Sequence, residues 1–113
     1  MQSLTDPELR VLFAETRTIA VLGANVDPGK PAFYVPDYLA TRSFEIHPVN
    51  PGFVGRTLWG HTFVASLTDL SEPIDMVDVF RRSEALMAHV PEILGMRTLP
   101  RVVWLQLGIA HAE

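Results

Sequence analysis

The segment with the clearest chemical potential is Gly23-Ala24-Asn25-Val26-Asp27-Pro28-Gly29-Lys30-Pro31. It follows an apolar run, Thr18-Ile19-Ala20-Val21-Leu22, and Pro31 is suited to open a helix. A strand that passes through glycine into a helix start offers unpaired backbone N–H groups, a partial positive charge and room for a ligand to approach the backbone. Those are the requirements of a phosphate. Lys30 adds a full positive charge at the same place.

What the loop lacks narrows the ligand. A dinucleotide fingerprint starting at Gly23 would need glycine at positions 25 and 28, where Asn25 and Pro28 stand. The acid expected some 20 residues later to hold a ribose hydroxyl is replaced by Ile46-His47-Pro48-Val49-Asn50-Pro51. No Gly-Lys-Ser or Gly-Lys-Thr occurs, so this is not a P-loop. The loop reads as a cradle for a phosphate-bearing ligand held differently from NAD.

Other reactive residue types assemble no catalytic set. Asp75 and Asp78 lie three apart on an expected strand and so point to opposite faces, which suits structural hydrogen bonding better than paired acid–base work. His47, His61, His89 and His111 fall in four separate segments without ligand spacing, and no metal is expected. Ser66, Ser71 and Ser83 have no nucleophile-elbow context. With no cysteine, disulfides, thiolate metal sites and a cysteine nucleophile are excluded.

The elements that position the cradle follow from apolar patterning. Thr5 or Asp6 caps a first helix, with Leu9, Leu12 and Phe13 on one face. After the strand Thr18–Leu22 and the loop, a helix runs to about Arg42, with Pro36 awkward inside it. Further strands are expected over 44–49, 74–80 and 101–105. A short strand falls near 62–64, a turn near 66–70, and a helix over 83–94 with Leu86, Val90, Ile93 and Leu94 on its buried side and a kink at Pro91. Strands buried on both faces and alternating with helices give an α/β fold, a Rossmann-like doubly wound parallel sheet flanked by helices.

The 113 residues make one domain, and a 48% hydrophobic share excludes disorder. A net charge of −4 argues against nucleic-acid binding, although Lys30 and the pair Arg81-Arg82 are local exceptions. No run is long enough to span a membrane and the N-terminus lacks signal-peptide character, so a cytoplasmic address is expected.

In such sheets ligands bind at the carboxyl ends of the strands. The segments there are Gly23–Pro31, Val49-Asn50-Pro51, Val79-Phe80-Arg81-Arg82-Ser83-Glu84 and Trp104-Leu105-Gln106-Leu107-Gly108. Together, in this order and spacing, they resemble the single-domain CoA-binding protein family, which is similar to the CoA-binding domain of the succinyl-CoA synthetase α subunit. The resemblance implies that Gly23, Ala24, Asn25, Lys30 and Pro31 lie against the ADP phosphates of coenzyme A or an acyl-CoA. It implies that Asn50 and Pro51 border the nucleotide, that Val79, Phe80 and Arg81 lie by the adenosine with Arg82 nearby, and that Trp104, Gln106 and Gly108 close the diphosphate or pantetheine side. Phe33 and Tyr34 are candidates for ligand contact and for helix-face packing alike. His47 and Asn50, in place of an acid, suit a ligand rich in phosphate.

The family usually continues past the Trp-Leu-Gln-Leu-Gly block with another helix and strand. The sequence here stops at Glu113, so two expectations follow: the chain is cut short, or the fourth strand is an edge covered by self-association as a homo-oligomer. Three functions remain open: a non-catalytic module for CoA or acyl-CoA, an NAD(P)-binding module or small oxidoreductase of the same fold, and a CoA-ligase or transferase subunit that depends on a partner.

Overall fold

The computed structural model describes residues 5–81 and 83–105. A helix α1 (Asp6–Glu15) leads into strand β1 (Thr18–Leu22), helix α2 (Pro31–Thr41) and strand β2 (Glu45–Val49). A small hairpin, β3 (Thr57–Leu58) and β4 (His61–Thr62), precedes β5 (Met76–Val79), α3 (Ser83–Leu94) and β6 (Val102–Leu105). Short 3-10 turns sit at Pro51–Phe53 and Leu67–Asp69.

The main sheet is parallel, in the order β2-β1-β5-β6. The expected α/β fold, a parallel sheet flanked by helices, is what the chain adopts. β1 pairs on one side with the strand that follows it and on the other with β5, so strand order reverses at β1. Alternate residues of a strand face opposite sides. Ala20 and Leu22 therefore join Val49, Val77 and Val79 in one core with Leu67, Leu70, Ile74 and Met96, against which Ile93 of α3 packs. Ile19 and Val21 join Ile46, Phe63 and Met76 in the other, against which Leu12 and Phe13 of α1 and Leu39 of α2 pack.

Local chemistry explains the element boundaries. Thr5, not Asp6, caps α1. Its hydroxyl accepts the Glu8 N–H and the Glu8 carboxylate accepts the Thr5 N–H, a reciprocal capping box. α2 contains Pro36 yet stays helical from Pro31. A proline deprives the carbonyl four residues back of its donor; here that carbonyl is Ala32's, and it accepts the Asn25 N–H at 3.3 Å instead. Pro48 is tolerated in β2 for a related reason. β2 is the last strand of the sheet, and its outer side bonds to the stretch at Val64 through the Pro48 carbonyl and the Asn50 N–H. α2 ends with Ser43 at φ 74° and the Phe44 N–H reaching back to the Leu39 carbonyl, a left-handed cap built without glycine.

Some details differ from the sequence reading. The segment after β2 holds a two-stranded hairpin where one short strand was expected, with Val64 making only an isolated bridge to Val49. Leu94 is 66% exposed, because the helix turns its Ile93 side to the core. The strands expected at 44–49, 74–80 and 101–105 are each shorter, at Glu45–Val49, Met76–Val79 and Val102–Leu105.

Candidate functional site

The reversal of strand order puts the carboxyl ends of β1 and β5 side by side, with β2 behind. Three loops meet there around Gly23. Its N–H donates to the Val49 carbonyl at 2.9 Å, and the Phe80 N–H donates to the Leu22 carbonyl at 2.8 Å. Gly23 has φ +90°, and a Cβ on it would stand 2.5 Å from the Phe80 carbonyl oxygen and 3.2 Å from Arg81 Nε. Glycine is required twice, by conformation and by contact.

The loop after Gly23 is held by its own side chains. Asn25 Oδ1 accepts the Asp27 N–H at 2.8 Å, and Asp27 Oδ1 accepts the Gly29 N–H at 2.9 Å. These successive Asx turns fix the path into α2. Asn50 holds the loop from outside: its Nδ2 donates to the Ala24 carbonyl at 2.9 Å while its Oδ1 accepts the Gly52 N–H. Asn50 thus borders the crevice as a fastener whose amide is already engaged. Pro51 begins the exposed turn beyond it.

Against these satisfied groups stand a helix start and one unsatisfied donor. α2 starts after Lys30, which is exposed and makes no side-chain cap; Pro31 carries no N–H and the Phe33 N–H bonds the Lys30 carbonyl at 2.9 Å, so the helix start contributes its partial positive charge more than free donors. Arg81 packs its Nε against Gly23, and that atom is buried with no hydrogen-bond partner among the described residues. A buried donor left unpaired is costly. The uncapped helix start and the orphan donor fit a phosphate-bearing ligand.

Not every expected contact offers a side chain to this crevice. Val79 is 1% exposed within one core, and Ala24 is fully buried in the other. Phe80 and Trp104 are half-buried and rest on the same core as Ala24. Pro31 is half-buried, and Tyr34 is exposed on the first turns of α2. Arg82, Gln106 and Gly108 lie outside the described residues, as does His111. A depression of about 350 Å3 opens at the opposite end of the strands, among Phe13, Thr16, Arg17, Arg42 and Phe44, away from the crevice.

The acids behave structurally. Asp75 Oδ2 accepts the N–H groups of Arg17 at 2.8 Å and Thr18 at 3.2 Å, at the amino end of β1. Burial raises its carboxyl, but those N–H groups, the Thr18 hydroxyl and the Arg101 charge outweigh it and hold the group below its ordinary value. Asp78 is buried in the middle of β5. Glu92 of α3 accepts the Leu67 N–H at 2.6 Å and bonds His89 Nδ1 at 2.9 Å. Burial raises it too, and these bonds prevail and lower it.

His47 does not face the crevice. It is 3% exposed, and its Nε2 lies 2.7 Å from Glu45 Oε2. His61 from the hairpin stacks on it with ring centroids 4.0 Å apart. The sequence does place Glu45 and His47 on one strand face, two residues apart. Nothing in it placed His61 beside them, because that contact is made by the hairpin folding back on the edge of β2.

Comparison with known proteins agrees with this architecture. The chain is 34% identical, over its full length, to the uncharacterized protein YneT of Bacillus subtilis strain 168, of which it spans 81%. A solved Thermus thermophilus protein, cell-free ID.343, is 40% identical and superposes with a TM-score of 0.81, covering 95% of each chain. A hypothetical protein from Pyrococcus horikoshii OT3, 23% identical, shares the fold with a TM-score of 0.76 over 97% of this chain and 94% of its own. A family model described as a CoA binding domain matches residues 17–113, from the residue before β1 onward. With the cradle at the reversal of strand order and this match over most of its length, the chain belongs to the family of single-domain CoA-binding proteins.

Proposed function

We propose that the chain binds coenzyme A or an acyl-CoA in the crevice at the carboxyl ends of β1 and β5, as a module without catalysis of its own. The observation that carries this reading is the buried, unpartnered Arg81 Nε against Gly23, beside a helix start with no side-chain cap. The diphosphate would lie along Gly23, Asn25 and the start of α2, with Lys30 at its rim. Arg81 would donate to a phosphate oxygen, a charge-assisted bond stronger than a neutral one. CoA supplies the phosphates and a thiol arm, and the chain's own residues bind and orient them.

Two features favour CoA over a dinucleotide. No acid follows β2, and the Asn50 amide in that place is already committed to Ala24 and Gly52. An adenosine ribose with both hydroxyls free, as in NAD, finds no carboxylate acceptor there, and the 3′-phosphate of CoA meets no carboxylate to repel it. The non-catalytic reading is supported by the acids, since Asp75 is occupied at the far end of the sheet and Asp78 is buried in mid-strand.

The test is a titration with CoA, 3′-dephospho-CoA, ADP, NAD and NADP, followed by calorimetry and melting temperature. A ligand at 100 times its dissociation constant stabilises by about 2.7 kcal/mol, a rise on the order of 10 °C for a domain this size. The expected order is CoA first, ADP weaker, NAD without effect. Folded protein that shows no saturable CoA binding at millimolar concentration overturns the proposal. A shift by NADP alone, with reductase turnover, would establish the oxidoreductase reading instead.

A further inference from the structure

We infer that Glu45, His47 and His61 form a binding site for one divalent transition-metal ion of the zinc class, separate from the CoA crevice. Three donors converge from two elements. Glu45 and His47 share one face of β2, and His61 arrives from β4, so that one donor atom from each lies within 4.8 Å of the others. Glu45 Oε2 is 2.7 Å from His47 Nε2 and 3.8 Å from His61 Nε2. Around tetrahedral zinc, with bonds of about 2.0–2.2 Å, neighbouring donors stand about 3.3 Å apart. The observed separations bracket that value.

The division of burial suits a coordination site. His47 is fixed, at 3% exposure, while Glu45 and His61 keep 48% and 31% of their side-chain surface and can adjust by small rotations. The two imidazoles lie side by side, tilted 35° to one another, and a rotation of the partly exposed His61 ring turns both in-plane lone pairs towards one ion. An ion would take the place of the proton between His47 and Glu45, releasing it to solvent. Glu72, on the loop before β5, lies close enough for its carboxylate to feel both imidazoles, and it adds negative charge. Two imidazoles and a carboxylate select zinc, copper or nickel over magnesium and calcium, which take oxygen donors.

The second histidine–carboxylate pair provides the internal control. His89 Nδ1 bonds Glu92 at 2.9 Å on α3, but no third donor joins them among the described residues. If Glu45–His47 were only a hydrogen bond of this kind, the two pairs would behave alike towards metal.

The experiment uses the whole chain without an affinity tag, stripped with chelator. Zn2+ is titrated by calorimetry, and Co2+ is followed by its visible absorption, which reports coordination geometry directly. The expected result is one equivalent bound with tetrahedral-type Co2+ bands. Loss of even an outer partner of a metal site costs about 10–100-fold in affinity, so His61→Ala and Glu45→Gln should each weaken binding at least about tenfold. His89→Ala should bind as the parent does. Both test substitutions fall on partly exposed side chains, and circular dichroism confirms that the variants are folded. Absence of stoichiometric Zn2+ binding, or unchanged affinity in folded His61→Ala or Glu45→Gln, overturns the inference. Equal losses in His89→Ala and His61→Ala would do so as well. CoA binding is measured in the same variants and should not change, which separates this site from the crevice.

Discussion

The two ends of the parallel sheet solve opposite problems with the same residue types. At the amino ends, Asp75 accepts two N–H groups, the Thr18 hydroxyl bridges to Asp75 and Pro73, and Arg101 pairs with Glu15. At the carboxyl ends Asn25, Asp27 and Asn50 hold the loops, but Arg81 Nε is left wanting an acceptor beside a helix start with no side-chain cap. Satisfied polar groups stabilise the fold, whereas donors held rigid and unpaired store affinity for an anion. Stability and binding should therefore respond to substitutions at different ends.

The largest effect belongs to the residue that serves both purposes. Gly23→Val forces a Cβ against the Phe80 carbonyl in a left-handed backbone. It should cost about 3 kcal/mol in denaturant unfolding and abolish CoA binding in whatever fraction stays folded. A fully stable variant would break the comparison at its centre.

Asp75→Ala should cost on the order of 2 kcal/mol, since it strands the Arg17 and Thr18 N–H groups, and should leave CoA affinity unchanged. Its sign with pH follows from the lowered carboxyl. The ionised form is the bonded one, so its contribution is complete above the unfolded value of about 3.9. It is lost as pH falls through the lower folded value. Urea melts of parent and variant should differ clearly at pH 7, and the difference should shrink as pH is taken step by step below the unfolded value.

Arg81→Ala should do the reverse. It removes a buried donor that the free protein does not satisfy, so the melting temperature without ligand should hold or rise slightly. CoA affinity should fall about tenfold or more, equivalent to about 1.4 kcal/mol, by calorimetry. A variant that unfolds while binding normally would place Arg81 with the structural groups.

Much of this division could be read in the sequence. The apolar runs located the sheet, and Gly23 marked the turn between β1 and α2, because buried strands and tight turns depend on local residue type. The reciprocal cap at Thr5 and Glu8 is local too. The convergence of His61 on His47 was not legible, since it depends on a hairpin that closes over a strand edge. Nor was the state of Asn50, whose amide is consumed by a loop 26 residues away. Chemistry made by contacts distant in sequence leaves no periodic trace.

The smallest effect tests whether stability can be added at the amino ends without a binding cost. Ser43 holds φ 74° at the end of α2. Ser43→Gly removes the left-handed penalty and should stabilise by about 1 kcal/mol in thermal melts, with CoA affinity unchanged.

Pro36 gives the cradle a timescale. The Ala32 carbonyl that the proline leaves free is what receives the Asn25 N–H, so the loop amide is wired into a helix rather than into solvent-facing turn structure. Its hydrogen exchange should then follow the slow opening of α2 instead of the fast motion of a surface loop. A phosphate would meet a cradle already set, with little of its binding energy spent on ordering the chain.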